Sequence, residues 1–281
     1  MKTNNPMQLK AYIKKMAAEK NISAQLVMQN YMLERLLERI SVSKYQPNLI
    51  LKGGFLISAI VGLDTRATMD LDTTIKGFDV THDAVRGIFE GICTISLDDD
   101  VNFEVLNTSD IREGDDYPGI RVSLRANYPP LAVPLSVDVT TGDKITPKEI
   151  EYSFKLLFGD RTIKIMAYNL ETVLAEKLET VITRGIANTR PRDFYDIYIL
   201  YQLRGHECDK SVLKTALVAT ASKRKSSSIL ANYNKVMESI VSSEQLMGFW
   251  RKYQTDFDYA QDISFIDVCH RINQIFEEIN F

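Results

Sequence analysis

The sequence predicts an α+β chain, with a sheet-rich core between helices at both ends. Three observations carry this. Apolar residues recur at helical spacing over the first 45 residues. From Asn48 to Ala167 the texture turns to short apolar runs bounded by Gly, Asp and Asn, and after Tyr168 helical spacing returns to the end. With 281 residues, 45% hydrophobic and 25% charged, the chain can bury a large core, which excludes disordered and fibrous classes.

The elements follow in order. Asn5-Pro6 offers a cap with proline in the first turn, and Leu9, Tyr12, Ile13 and Met16 continue the helix. Ser23 opens a second helix through Leu26, Met32, Leu36, Leu37 and Ile40. Strands are expected at Leu49–Leu51, Met69–Ile75, Asn102–Asn107, Ile120–Ala126, Val133–Thr140, Tyr152–Phe158 and Thr162–Ala167, with short helices at Phe55–Val61 and Asp83–Cys93. Asn169 caps a helix closed by Gly185, and Pro191 starts another that stops at Gly205. Beyond Cys208 only helices are expected, with a Ser/Lys/Arg loop at Ser222–Ser228. Two domains are expected, over residues 1–168 and 169–281.

Composition also bounds function. A net charge of −3 excludes a protein that coats nucleic acid through its overall field, so any RNA contact must use a local patch. The apolar stretch Phe55–Val61 falls far short of the ~20 residues needed to span a bilayer. The first residues carry no signal-peptide pattern, and three widely spaced cysteines predict reduced thiols. A cytoplasmic protein with no membrane partner is the expectation.

Chemistry concentrates between Leu51 and Thr140. Asp70 and Asp72 are two apart in an expected strand, so both carboxylates leave one face, roughly 6.6 Å apart along the chain. Such a pair repels unless a cation lies between, and hard oxygens suit Mg²⁺. Asp138 is a carboxylate among alternating apolar residues in Leu135–Thr140; were its strand a neighbour of Asp70–Asp72, three carboxylates would converge as in a two-ion phosphoryl-transfer site. Lys52-Gly53-Gly54 sits at a strand-to-helix junction, where backbone amides can approach a phosphate. Plainer readings stand beside these: a solvated strand end, an edge-strand charge, and a tight turn.

Lys52-Gly53-Gly54 followed by Arg66-x-Thr68-x-Asp70-Leu71-Asp72 resembles the AbiEii/AbiGii family of nucleotidyltransferase-like toxins, to which the MenT toxins are related. Two later motifs agree in order: Glu171-x-x-x-Ala175-Glu176-Lys177-Leu178-Glu179, and Arg190-Pro191-Arg192-Asp193-Phe194-Tyr195-Asp196. Phe55 stands where relatives carry a hydroxyl residue, and Arg192 where they carry lysine.

The resemblance implies a nucleotidyltransferase (polymerase-beta-like) mixed-sheet core with N-terminal helices and a C-terminal helical bundle. It implies Asp70, Asp72, Lys177 and Asp193 as catalytic residues, with Asp70, Asp72 and Asp138 holding two Mg²⁺ ions. Lys52, Gly53, Gly54, Arg66, Thr68 and Lys177 would bind the NTP. The acceptor implied is RNA, a tRNA 3′ end, and Arg184, Arg190, Arg192, Lys223, Arg224 and Lys225 are the basic residues available to meet it. Growth arrest in a type IV toxin–antitoxin or phage abortive-infection system would follow, opposed by a separately encoded antitoxin of the AbiEi type. The residues alone also allow a binding module of the same fold, or transfer to a small-molecule hydroxyl.

Overall fold

The structure, a computed structural model, describes residues 5–111 and 119–281. The chain divides into two compact units, one of residues 1–143 with 150–167, the other of residues 144–149 with 168–281.

The first unit opens with α1 (Pro6–Glu19) and α2 (Ala24–Val42). Asn5 accepts from the Gln8 amide at 2.9 Å and Ser23 from the Leu26 amide at 3.1 Å, so each cap satisfies an amide that the helix cannot. There follow β1 (Leu49–Lys52), α3 (Gly53–Val61), β2 (Leu71–Ile75), α4 (His82–Cys93), β3 (Asn102–Ile111), β4 (Gly119–Tyr128), β5 (Leu131–Thr141), β6 (Ile150–Lys155) and β7 (Thr162–Ala167). The strands form one mixed sheet in the order β3-β4-β5-β2-β1-β7-β6. β2 runs parallel to β5 and β1 parallel to β7, while the other neighbours are antiparallel.

α2 is buried nearly all round, charged residues included. Arg39 forks onto Asp99 with two bonds of 2.8 Å and donates to the Val101 carbonyl at 2.6 Å. Arg35 pairs with Glu38 at 2.7 Å, and the Glu34 carboxyl accepts from the Leu157 amide at 2.9 and 3.0 Å. Burying these groups is tolerable because each finds a polar partner.

Three strand expectations are corrected. β2 begins at Leu71, so Asp70 precedes it; the Thr68 and Met69 carbonyls accept from Asn30 and Gln29 of α2 at 2.7 and 3.3 Å instead of from a strand. β3 continues to Ile111, because a register shift between Val105 and Asn107 interrupts the alternation while pairing with β4 resumes beyond it. β6 covers Ile150–Lys155, and Leu156 closes its hairpin by donating to the Arg161 carbonyl at 3.0 Å.

The second unit is helical: α5 (Leu170–Arg184), α6 (Pro191–Arg204), α7 (Lys210–Lys223), α8 (Ser227–Leu230), α9 (Tyr233–Val241), α10 (Glu244–Asp256) and α11 (Phe265–Glu278). Residues 144–149 join it through Thr146, whose carbonyl accepts from Asn169 at 2.7 Å and from Thr172 at 3.2 Å. The expected Ser222–Ser228 loop is mostly helix end, since α7 reaches Lys223 and α8 starts at Ser227. Trp250 is buried and donates to the Ile263 carbonyl at 2.9 Å. Among the described residues, no helix is long and apolar enough to cross a membrane.

Candidate active site

In the first unit, strand register lines up four charges. Lys52 of β1 is opposite Asp72 of β2, Asp72 is beside Asp138 of β5, and Asp138 is opposite Arg121 of β4. Register partners share a face, so the row reads cation, anion, anion, cation. Carboxylates about 5 Å apart repel by about 3 kcal/mol at an effective dielectric near 20. The outer cations offset this. Arg121 takes both Asp138 oxygens, at 2.7 and 2.9 Å, and Lys52 pairs with Asp143 and donates to the Thr140 hydroxyl at 2.7 Å.

A glycine turn closes on the row where β1 becomes α3. Gly53 has φ +64°, a left-handed conformation that glycine adopts without strain, and a Cβ there would lie 2.1 Å from Asp72 Oδ2. The Gly54 amide points at the same oxygen, 3.3 Å away. A Cβ on Gly54 would meet the Thr68 hydroxyl at 3.0 Å and the Arg66 guanidinium at 3.1 Å. Gly53, Gly54, Arg66, Thr68 and Asp72 are therefore neighbours. Arg66 is buried and donates to the Ala67 carbonyl, while Asp70 is exposed. Phe55 faces the core, its ring stacked on Phe154 at 5.8 Å.

Among the described residues, no three His, Cys, Asp or Glu side chains gather as a metal site. Arg121 is the cation held by Asp138, whose hydrogen bonds and charge raise its pKa above the ordinary arginine value; burial opposes this, and the charges of Asp70 and Asp72 add smaller raising effects. Hard carboxylate oxygens that already draw on one cation fit a divalent ion in their chemistry.

In the second unit, Lys177 of α5 sits between two aspartates of α6, 2.7 Å from Asp193 Oδ1 and 2.9 Å from Asp196 Oδ2. Burial disfavours its charge, but Asp196 and Asp193 outweigh that and hold the ammonium above its usual pKa. Arg190 lies 3.5 Å from the second Asp193 oxygen. Glu179, two residues after Lys177, is not on a solvated face of α5. It is buried, accepting from Ser226 at 2.6 Å, Thr183 at 2.9 Å and Arg224 at 2.5 Å.

Arg224 also pairs with Glu176 at 3.4 Å, so this exposed arginine lies against α5. Arg184, Arg190 and Arg192 are exposed; Lys223 ends α7, and Lys225 follows with φ +57°.

Sequence reasoning missed Arg121 and Asn30. The signal for Arg121 lay in the β4–β5 hairpin: counting back from the Tyr128–Leu131 pair lands Arg121 opposite Asp138. Asn30 gave none, since only the tertiary contact sets its bond to Thr68.

Residues 35–278 match the family described as nucleotidyl transferase AbiEii toxin, Type IV TA system. The chain belongs to this AbiEii family. As an AbiEii protein it is a nucleotidyltransferase, whose membership implies an NTP substrate and an antitoxin counterpart. No curated protein sequence matches it. Among solved structures, JHP933 from Helicobacter pylori is similar, with TM-score 0.50 and 12% identity, over 92% of this chain and 94% of that one. A second H. pylori structure, described as a candidate nucleotidyltransferase, has the same TM-score and identity over 92% and 98%. At that identity the two likenesses show the fold, a nucleotidyltransferase-like α+β architecture.

Proposed function

We propose that this AbiEii protein transfers a nucleoside monophosphate from an NTP to an RNA 3′ end, with tRNA as acceptor and Mg²⁺ as cofactor. Growth arrest in abortive infection would be the outcome. The observation that carries the reading is the Asp72–Asp138 pair on neighbouring strands, with the Gly53–Gly54 turn against Asp72.

Asp70, Asp72 and Asp138 would hold the metal. Bound there, a divalent ion supplies Lewis-acid polarisation of the transferred phosphoryl group and a lower pKa for an attacking hydroxyl. The backbone after Gly53 brings the N-terminus of α3 to the same place, and its amides and dipole favour phosphate oxygens. Thr68 and Arg66 flank that turn, where a hydroxyl and a guanidinium can orient the triphosphate. Lys177 holds Asp193 in place through its ion pair, with Asp196 as a second anchor, and the resemblance assigns Lys177 and Asp193 to the machinery. The exposed Arg184, Arg190, Arg192, Arg224 and Lys225, with the half-buried Lys223, are the candidates for RNA phosphates.

Incubation with each labelled NTP, Mg²⁺ and total tRNA tests this. Wild type should label RNA with at least one NTP, and Asp72→Asn should not. Labelling that survives Asp72→Asn, or its absence with every NTP and RNA, refutes the reading.

A further inference from the structure

Arg121 belongs to none of the motifs, yet the charge of the acidic row is balanced on it. Its guanidinium grips Asp138 through Nε and Nη2, the planar fork that arginine makes with a carboxylate. Among the described residues nothing comparable anchors the rest of the side chain: it is 43% exposed, against 16% for Asp138, and its register partner on β3 is Ser109. It therefore has solvent to move into. Asp72 is the register neighbour of Asp138 on β2. Resting on the metal-dependent reading above, we propose that Arg121 is the resident counter-cation of the acidic set and competes with a divalent ion for Asp138.

Two physical consequences define the role. While the fork is closed, both Asp138 oxygens are engaged and a positive group stands beside them, so an approaching cation meets repulsion and loses a ligand. Once the fork opens, Asp138 loses its guanidinium partner beside Asp72, and a divalent ion replaces the lost charge twice over. The metal-free protein is thus held together by the residue that weakens its metal site. A phosphate ligand that attracts Arg121 outward would make ion binding and nucleotide binding favour each other.

Mn²⁺ is the probe, titrated into the full-length, nucleotide-free protein and followed by electron paramagnetic resonance and thermal melting. Arg121→Gln should bind Mn²⁺ about tenfold more tightly than wild type, melt several degrees lower without metal, and gain more from saturating Mn²⁺. Arg121→Lys, which keeps the charge without the fork, should fall between them and guards against simple misfolding. Asp138→Asn should lose the gain that Arg121→Gln confers. Equal or weaker Mn²⁺ binding by Arg121→Gln overturns the inference alone. Absence of Mn²⁺ binding in every variant overturns the metal-dependent reading, and this inference with it.

Discussion

Replacing Gly53 by alanine isolates the contact on which the candidate site turns. Two costs arise at once. A non-glycine residue at φ +64° costs roughly 1–2 kcal/mol. The new Cβ would sit 2.1 Å from Asp72 Oδ2, 2.6 Å from its Cγ and 2.7 Å from its Cβ. Because Asp72 Cβ itself is too close, rotating the carboxylate does not relieve the clash, and backbone must shift. Overpacking of this kind typically costs ~1–3 kcal/mol. Together these predict a loss of about 2–5 kcal/mol, read by urea or thermal unfolding. Displacement of a positioned group by ~1 Å costs about a hundredfold in rate, so transfer should fall at least that far at temperatures where the variant stays folded. Gly87→Ala is the control. It lies within α4 with nothing within 4 Å of the added carbon, so it should gain ~0.5–1 kcal/mol and keep full activity. A Gly53→Ala protein with wild-type rate and stability would refute the placement of Asp72 in the chemistry.

Two further predictions concern buried charge. Burial raises the Glu34 carboxyl from 4.5 to about 8, against the lowering effects of the Leu157 amide and Arg35; the native state keeps that proton where the unfolded chain loses it, so stability falls as pH rises from 4.5 through about 8. At about 1.36 kcal/mol per pH unit the change is on the order of 5 kcal/mol, and Glu34→Gln should remove this slope from urea melts taken between pH 5 and 9; an unchanged slope would count against it. Lys177→Ala strands Asp193 and Asp196, for about 3–5 kcal/mol, which Asp193→Asn with Asp196→Asn should largely restore, or else the cluster is not what holds α5 to α6. Since the Lys177 pKa is raised, its contribution is complete below 10.5 and disappears only as pH climbs through the native value.

What could be read without the structure was what neighbours in sequence decide. Asn5, Ser23 and Asn169 each cap the helix they were expected to cap, because a side-chain oxygen reaching an amide three residues on is a local event. β4 alternates as expected because one of its faces is buried throughout. Reading failed where distant chain decides. At Leu106 a register shift breaks the alternation, and nothing local announces it. Arg35 and Arg39 look like the wet face of an amphipathic α2, yet both are buried because Glu38 and Asp99 come to meet them. Arg224 reads as a loop residue with no partner in sequence, yet α5, 45 residues away, supplies Glu179 to it. The candidate site divides along the same line. Its aspartates, glycines and lysine stood out because their spacing matches motifs that lie in order along the chain. The row they form did not, since only pairing puts Asp138 between Asp72 and Arg121. Pairing also changes the sense of the individual residues. A carboxylate pair alone calls for a cation from outside, whereas here one member, Asp138, already holds the guanidinium of Arg121, a partner that β4 supplies and none of the motifs contains.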